Sequence, residues 1–414
     1  MKYANSLKYM NAFAPASAEL EISHARALEL CERLGRIHIG SRYICLPEGS
    51  AGHAIAMMLE AVIRHAGHTV GRITSVGGFD PRGAIYVNGE IPSIEVFNRA
   101  VTELKTAARK DPEQVYAREE AVFVLGQLIC KMEDCDYVIL EGLSCERYCL
   151  DRICAPYELI VMPTVYESEH ATERVKTLCE AIRRGTREVV SGNQKSEVYN
   201  KISNACAMSG IRLYIPLKAQ FEAERISSRS LEFSYSGRGG YTLRSPSHLL
   251  RDCAMTVIES ALALRRGGVK IPWSSIAAGI SAVSGAGCFE MLSASPIIVT
   301  DTAESGEELS LLLKTAEEVL NVEGKSLSFC LPQGALGALD ALSGRILGSL
   351  VILCEDGELD GGALGAKQVI AAKTVKEAAK AVVGMGADDV MLCFGSVGFA
   401  VAMKSEIVRI LNDR

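Results

Sequence analysis

Between Lys8 and Lys105 the chain carries no lysine, and several other features are missing with it. No apolar run approaches the roughly 20 residues that a bilayer requires, which excludes a helical membrane span. No basic surplus exists either: Lys and Arg number 44 against 50 Asp and Glu, for a net charge of −6 and a pI near 5.8. That balance offers no broad cationic face to nucleic acid. The opening Met1-Lys2-Tyr3-Ala4-Asn5-Ser6 has no apolar signal core, so the expected location is the cytoplasm. There the 14 cysteines are expected to stay reduced. Five of them, Cys130, Cys135, Cys145, Cys149 and Cys154, share one stretch, but none is paired in the C-x2-C spacing of a zinc site. They read as small buried hydrophobes, with a metal or redox centre as the alternative.

What is present is a chain with 48% hydrophobic residues over 414 positions, enough for two or three domain cores. Arg42-Tyr43-Ile44-Cys45-Leu46 predicts a short buried strand, Pro47 to Gly52 a turn, and Ala54 to Ala66 an apolar helix ending at Gly67. Strand, glycine-bearing turn and helix make the layout of a nucleotide-binding loop. Such a loop wraps backbone N–H groups and a helix N-terminus around phosphates and adds a lysine for the outer ones. Here the lysine-free window covers the loop, and Glu48 puts negative charge beside it.

Further strands are expected at Val70 to Thr74, Tyr137 to Leu140, Leu159 to Met162, Glu188 to Val190 and Leu213 to Ile215. They alternate with helices at Pro92 to Ala108, Arg118 to Cys130, Glu173 to Arg183 and Ser196 to Met208, which implies a mostly parallel sheet covered on both faces. The Gly- and Ser-rich run Ser234 to Tyr241 predicts a hairpin turn. A helical pair follows at Leu249 to Arg266 and Ser274 to Val283, then a linker at 284–292. A second α/β unit is expected beyond it, with strands at Ile297 to Thr300, Leu327 to Leu331, Leu350 to Leu353, Gln368 to Ala371 and Asp389 to Cys393.

The order and spacing of several segments resemble the folylpolyglutamate synthase/dihydrofolate synthase branch of the Mur ligase superfamily. Ala66 to Ser75 is similar to the stretch leading into that family's Thr-Ser-Pro-His loop, and Tyr86-Val87-Asn88-Gly89 to its Asn-Gly turn. Val138-Ile139-Leu140-Glu141 resembles the strand ending in a metal-binding glutamate, Glu169-His170 an Asp-His pair, and Ser191 to Gln194 a Gly-x-Gln segment. Asp301-Thr302-Ala303 resembles the start of the Asp-Gly-Ala-His-Asn motif, and Phe394-Gly395-Ser396 the C-terminal Gly-Ser. The resemblance implies a P-loop-type, Mur-ligase-like domain over 1–288 and a smaller Rossmann-like α/β domain over 289–414. It also implies ATP-dependent amide formation: a folate carboxylate is phosphorylated and the amino group of glutamate attacks the acyl phosphate. In that scheme Gly49 and Ser50 meet the phosphates, Glu141 and His170 hold Mg²⁺, and Asp301 serves as the catalytic acid of the second domain.

Phosphoryl transfer depends on fixed phosphates and neutralised charge, and several parts that would supply these are changed. Whichever way the loop is aligned, Glu48, Ser50 or Gly52 takes the lysine position. The family's carbamylated lysine falls near Leu178, its His-Gln-x-x-Asn becomes His248 to Asp252, and its Pro-His becomes Val76-Gly77. Its Gly-Gly-Arg segment is replaced by Ser144 to Cys149. Each retained residue also has a structural alternative: Glu141 as a helix cap, His170 as a loop histidine, Asp301 as the cap of a helix beginning near Gly306. Three readings stay open: a ligase-like pseudoenzyme that binds without ligating, alone, as a homo-oligomer or beside a protein partner; an active but atypical ligase using ATP and Mg²⁺ on a folate-like carboxylate; and a cysteine-based redox or metal protein.

Overall fold

The computed structural model describes residues 2–47, 51–75, 80–143, 150–166, 171–283, 287–320, 322, 327–342, 347–354, 366–386 and 389–413. The chain divides into two units, one of 1–165, 169–218 and 253–283, the other of 166–168, 219–252 and 284–414.

In the first unit, α1 (Tyr3–Asn11) and α2 (His24–Arg33) precede β1 (Arg42–Leu46), α3 (Gly52–His65), β2 (Val70–Thr74) and β3 (Ile85–Val87). Then come α4 (Ile94–Ala108), α5 (Arg118–Met132), β4 (Tyr137–Glu141), β5 (Tyr157–Met162), α6 (Ala171–Arg183), β6 (Thr186–Ser191), α7 (Ser196–Met208) and β7 (Arg212–Tyr214). The strands form one sheet in the order β3-β2-β4-β1-β5-β6-β7, parallel except for β3 at the edge. Every residue of β2 and β4 is buried, as befits strands covered on both faces.

The pleat decides which side chains meet which helix, because successive residues point to opposite faces. Gly71 and Ile73 face α5: a Cβ on Gly71 would lie 2.3 Å from Cys130 Sγ, and one on Gly126 of α5 would lie 2.9 Å from Ile73 Cδ1. Arg72, between them, faces α3. The helix therefore lies close on one side of β2, while the other side holds a charged residue in the interior.

The second unit opens with an antiparallel sheet of β8 (Phe221–Ser227), β9 (Ser230–Tyr235) and β10 (Arg238–Leu243). Ser236 and Gly237, at φ 55° and 72°, make the tight turn expected between β9 and β10. From Cys253 onward, α8 (His248–Arg266) belongs to the first unit, as does α9 (Trp273–Ala282), which packs on α3. The second sheet is built from β11 (Glu290–Ala294), β12 (Ile297–Asp301), α10 (Gly306–Val319), β13 (Leu327–Pro332), β14 (Leu347–Leu353), β15 (Ala366–Ala372), α11 (Val375–Val383), β16 (Val390–Phe394) and α12 (Val397–Asn412). Its strand order is β11-β12-β16-β13-β14-β15, again parallel apart from one edge strand, β11.

Both units are thus α/β with mostly parallel sheets. One correction concerns 284–292, expected as a linker. Its residues 284–286 lie outside the described residues, but from Glu290 the chain is β11, paired antiparallel with β12. The strand's residues are half-exposed on both faces, so they show no alternation to betray it.

Candidate functional site

Parallel sheets place ligands at the carboxyl ends of their strands, and in the first unit three of those ends, of β1, β2 and β4, lie side by side. Ser75 N–H donates to Glu141 O at 3.1 Å and Gly142 N–H to Leu46 O at 2.9 Å, so the three strand ends are tied together. Gly142 sits at φ +68°, and a Cβ there would lie 2.5 Å from Ser75 Oγ. Only glycine allows both that backbone conformation and that approach.

Beside these ends is a cavity of about 270 Å³ walled by Thr74, Ser75, Val122, Phe123, Leu143 and Arg118, among others. Arg118 is held by the N-terminal segment, donating from Nε to Phe13 O at 3.1 Å. The walls combine an aromatic ring and aliphatic surface with two hydroxyls, a guanidinium and the Glu119 carboxylate. Such a lining suits a flat, partly polar ring.

On the α3 side of the sheet lies a charged cluster. Arg72 Nη1 donates to Glu141 Oε2 at 2.7 Å and Arg72 Nε to Glu60 Oε2 at 2.8 Å. The guanidinium also covers the Tyr86 ring, 4.1 Å from its centroid. His53 Nδ1 lies 2.8 Å from Glu141 Oε1, and Gly89 N–H donates to Glu60 Oε1 at 2.5 Å. Burial pushes the Glu141 carboxyl up, but the hydrogen bond from His53 and the charge of Arg72 outweigh it and hold the carboxyl below its ordinary value. Burial likewise disfavours the charged Arg72, and the charges of Glu141 and Glu60 more than restore it.

Folylpolyglutamate synthase structures superpose on nearly the whole chain. A complex with AMPPCP and folate matches at TM-score 0.79 and 16% identity, covering 98% of this chain and 99% of that one. The Mycobacterium tuberculosis enzyme with ADP and AMPPCP matches at 0.77 and 17%, covering 98% and 99%. The Thermotoga maritima enzyme matches at 0.72 and 17%, covering 98% and 96%. The chain has the folylpolyglutamate synthase fold. At these identities the likeness is one of fold; no protein-family model and no curated protein sequence matches the chain.

Within the synthase fold the expected site residues are distributed as follows. Gly49, Ser50 and His170 lie outside the described residues. The helix after the loop begins at Gly52, two residues before the expected Ala54, so Gly52 and His53 form its first turn. Glu141 ends β4 with both oxygens engaged, by Arg72 and by His53. Each oxygen thus already has a partner, and Arg72 already balances the carboxylate's charge. Leu178 is packed in the core of the first unit. Gln194 links two loops, its Oε1 accepting from Val165 N–H at 2.9 Å and its Nε2 donating to Pro163 O at 2.8 Å.

Asp301 lies in the second unit at the end of β12, 3% exposed. It accepts from Phe289 N–H at 2.7 Å and Ala303 N–H at 2.8 Å. Burial pushes its pKa up to about 7 against the pull of these donors. Helix α10 does start at Gly306, but Ser305 caps it, in a capping box with Glu308. Ser396 caps α12, accepting from Phe399 N–H. The cysteine stretch yields buried thiols at Cys130, Cys135 and Cys154, while Cys145 and Cys149 lie outside the described residues. Among the described residues no group of three or more His, Cys, Asp or Glu is arranged to hold a metal ion.

His53 and Glu60 were not singled out by sequence reasoning. The signal for them was Arg72, a charge in the middle of a strand with no exposed face. A buried guanidinium demands carboxylate partners, and the facing helix supplies Glu60.

Proposed function

We propose that this chain is a folylpolyglutamate synthase-like protein that binds a folate-like carboxylate in the cavity beside β2 and β4 without ligating glutamate to it. The observation that carries the reading is the lysine-free stretch from 9 to 104, which spans the whole loop and the first turn of α3. A triphosphate at a helix N-terminus needs a cation for its outer charges. In place of one, the adjoining cluster sets a single guanidinium against two carboxylates. Unit charges of like sign at contact distance cost about 1 kcal/mol in water and about 4 kcal/mol near a protein surface, so this balance works against ATP.

The cavity supports the ligand half of the reading. At about 270 Å³ it is just below the range of pocket sizes that enclose a whole small molecule. It has room for a flat ring, with the rest of a folate-like ligand lying outside and Arg118 available to an anionic group. One structure sharing the fold holds AMPPCP and folate together.

Isothermal titration calorimetry with Mg-ATP, and separately with a folate, tests the proposal. We expect folate binding at micromolar concentration, no heat from millimolar Mg-ATP, and no ADP release when both are mixed with glutamate. ATP-dependent appearance of a glutamyl amide would instead establish an active, atypical ligase. A Val122→Trp substitution should fill the cavity and weaken folate at least tenfold, about 1.4 kcal/mol. Val122 is only half-buried, so the change should leave the thermal midpoint nearly unmoved.

A further inference from the structure

By resemblance Glu141 is the carboxylate that holds Mg²⁺, yet a cation reaches it from inside the protein. Arg72 is 3% exposed and is fixed on three sides: by Glu141, by Glu60 and by the face of Tyr86. The remaining Glu141 oxygen faces His53. Two buried carboxylates in one place are untenable without a positive partner. A metal site draws that partner from solution, whereas here β2 supplies it covalently. The pleat sets the geometry: Arg72 and Glu141 lie on the α3 face of neighbouring parallel strands, with Thr74 as the register partner of Glu141. A divalent ion at Glu141 would have to expel a desolvated guanidinium or share a site with it against like-charge repulsion.

We propose that Arg72 is a tethered cation that takes the place of a divalent metal ion at Glu141, so that the chain takes no metal there. The proposal deepens the ligation-free reading and rests on it for placing the site, but its test contains neither nucleotide nor folate, so either can fail alone.

Mn²⁺ is titrated into the ligand-free protein, and unbound Mn²⁺ is counted by electron paramagnetic resonance. The wild type and Glu141→Gln should give superimposable curves, with no stoichiometric site that the substitution removes. Arg72→Ala should melt lower than wild type and regain several degrees with millimolar Mn²⁺, but not with NaCl of equal ionic strength. The double variant Arg72→Ala/Glu141→Gln should show no such recovery. One Mn²⁺ bound by wild type and lost in Glu141→Gln overturns the proposal. So does an Arg72→Ala protein whose melting ignores Mn²⁺. Should Arg72→Ala fail to fold, the comparison of wild type with Glu141→Gln decides the matter by itself.

Discussion

At the end of β12 a single carboxylate gathers N–H donors from Phe289 and Ala303, and so ties the turn before β11 to the strand that follows it. Its burial sets a cost that depends on pH. The Asp301 carboxyl titrates near 4 in an unfolded chain and at about 7 in the folded one. A raised carboxyl pKa means that the folded state holds the proton longer, so stability is greatest at low pH and is lost as pH rises from about 4 to about 7. The full loss is on the order of 4 kcal/mol. His248 works in the opposite sense. Burial lowers its pKa, against the hydrogen bond it donates to Glu318, so its contribution is present above the ordinary histidine range and is lost as pH falls through it. Both groups lie in the second unit, so the Asp301 contribution has to be read as a difference. In urea titrations Asp301→Asn should be the less stable protein at pH 4, because an amide NH₂ then faces an N–H donor. Its deficit relative to wild type should shrink as pH rises to 7. A deficit that stays constant over that interval would remove the assignment.

Helix α3 carries both His53 and Glu60, and its placement depends on α9. Gly279 of α9 lies against the α3 backbone: a Cβ there would be 2.5 Å from Val62 N and 2.6 Å from Val62 Cα. Since those are backbone atoms, Gly279→Ala must push the two helices apart, at about 1–3 kcal/mol of overpacking. Trp273 opens the same helix, so its fluorescence during urea unfolding should show the lowered midpoint directly. An unchanged midpoint would mean that the helices separate at no cost. The elements themselves are largely legible in sequence, because β1, β4, β12, β13, β14 and β16 are mostly apolar runs bounded by Gly, Pro and polar residues. Ser236-Gly237 was readable as a turn for the same local reason. What escaped was nonlocal. Strand β11 at a sheet edge turns only Met291 and Leu292 toward core, one to each apolar cluster, the α10 cap is Ser305 rather than Asp301, and the pairing of Arg72 with Glu60 and Glu141 needs the sheet register and a helix 12 residues away. Retained sequence letters such as Glu141 gave position but not partners.

For the whole molecule, the two units bear carboxylates whose pKa values are displaced in opposite directions. Glu141 in the first unit is held below its ordinary value, so its contribution is complete above the usual carboxylate range and is lost only as pH falls through the folded value. Asp301 in the second unit loses its contribution on the alkaline side of that same range. The chain's sole tryptophan, Trp273, belongs to the first unit, whereas far-ultraviolet circular dichroism sees both. Between pH 4 and 7 the Asp301 contribution should move a dichroism component that tryptophan fluorescence does not follow, and in Asp301→Asn that part of the movement should vanish. Below the usual carboxylate range the fluorescence midpoint should fall as Glu141 takes up a proton and releases Arg72. In Glu141→Gln that acid fall should be smaller, because the amide has no charge to lose and only carboxylates such as Asp80 remain to supply it. Fluorescence and dichroism midpoints that shift together across the whole range, in all three proteins, would mean that the two units do not respond to pH separately.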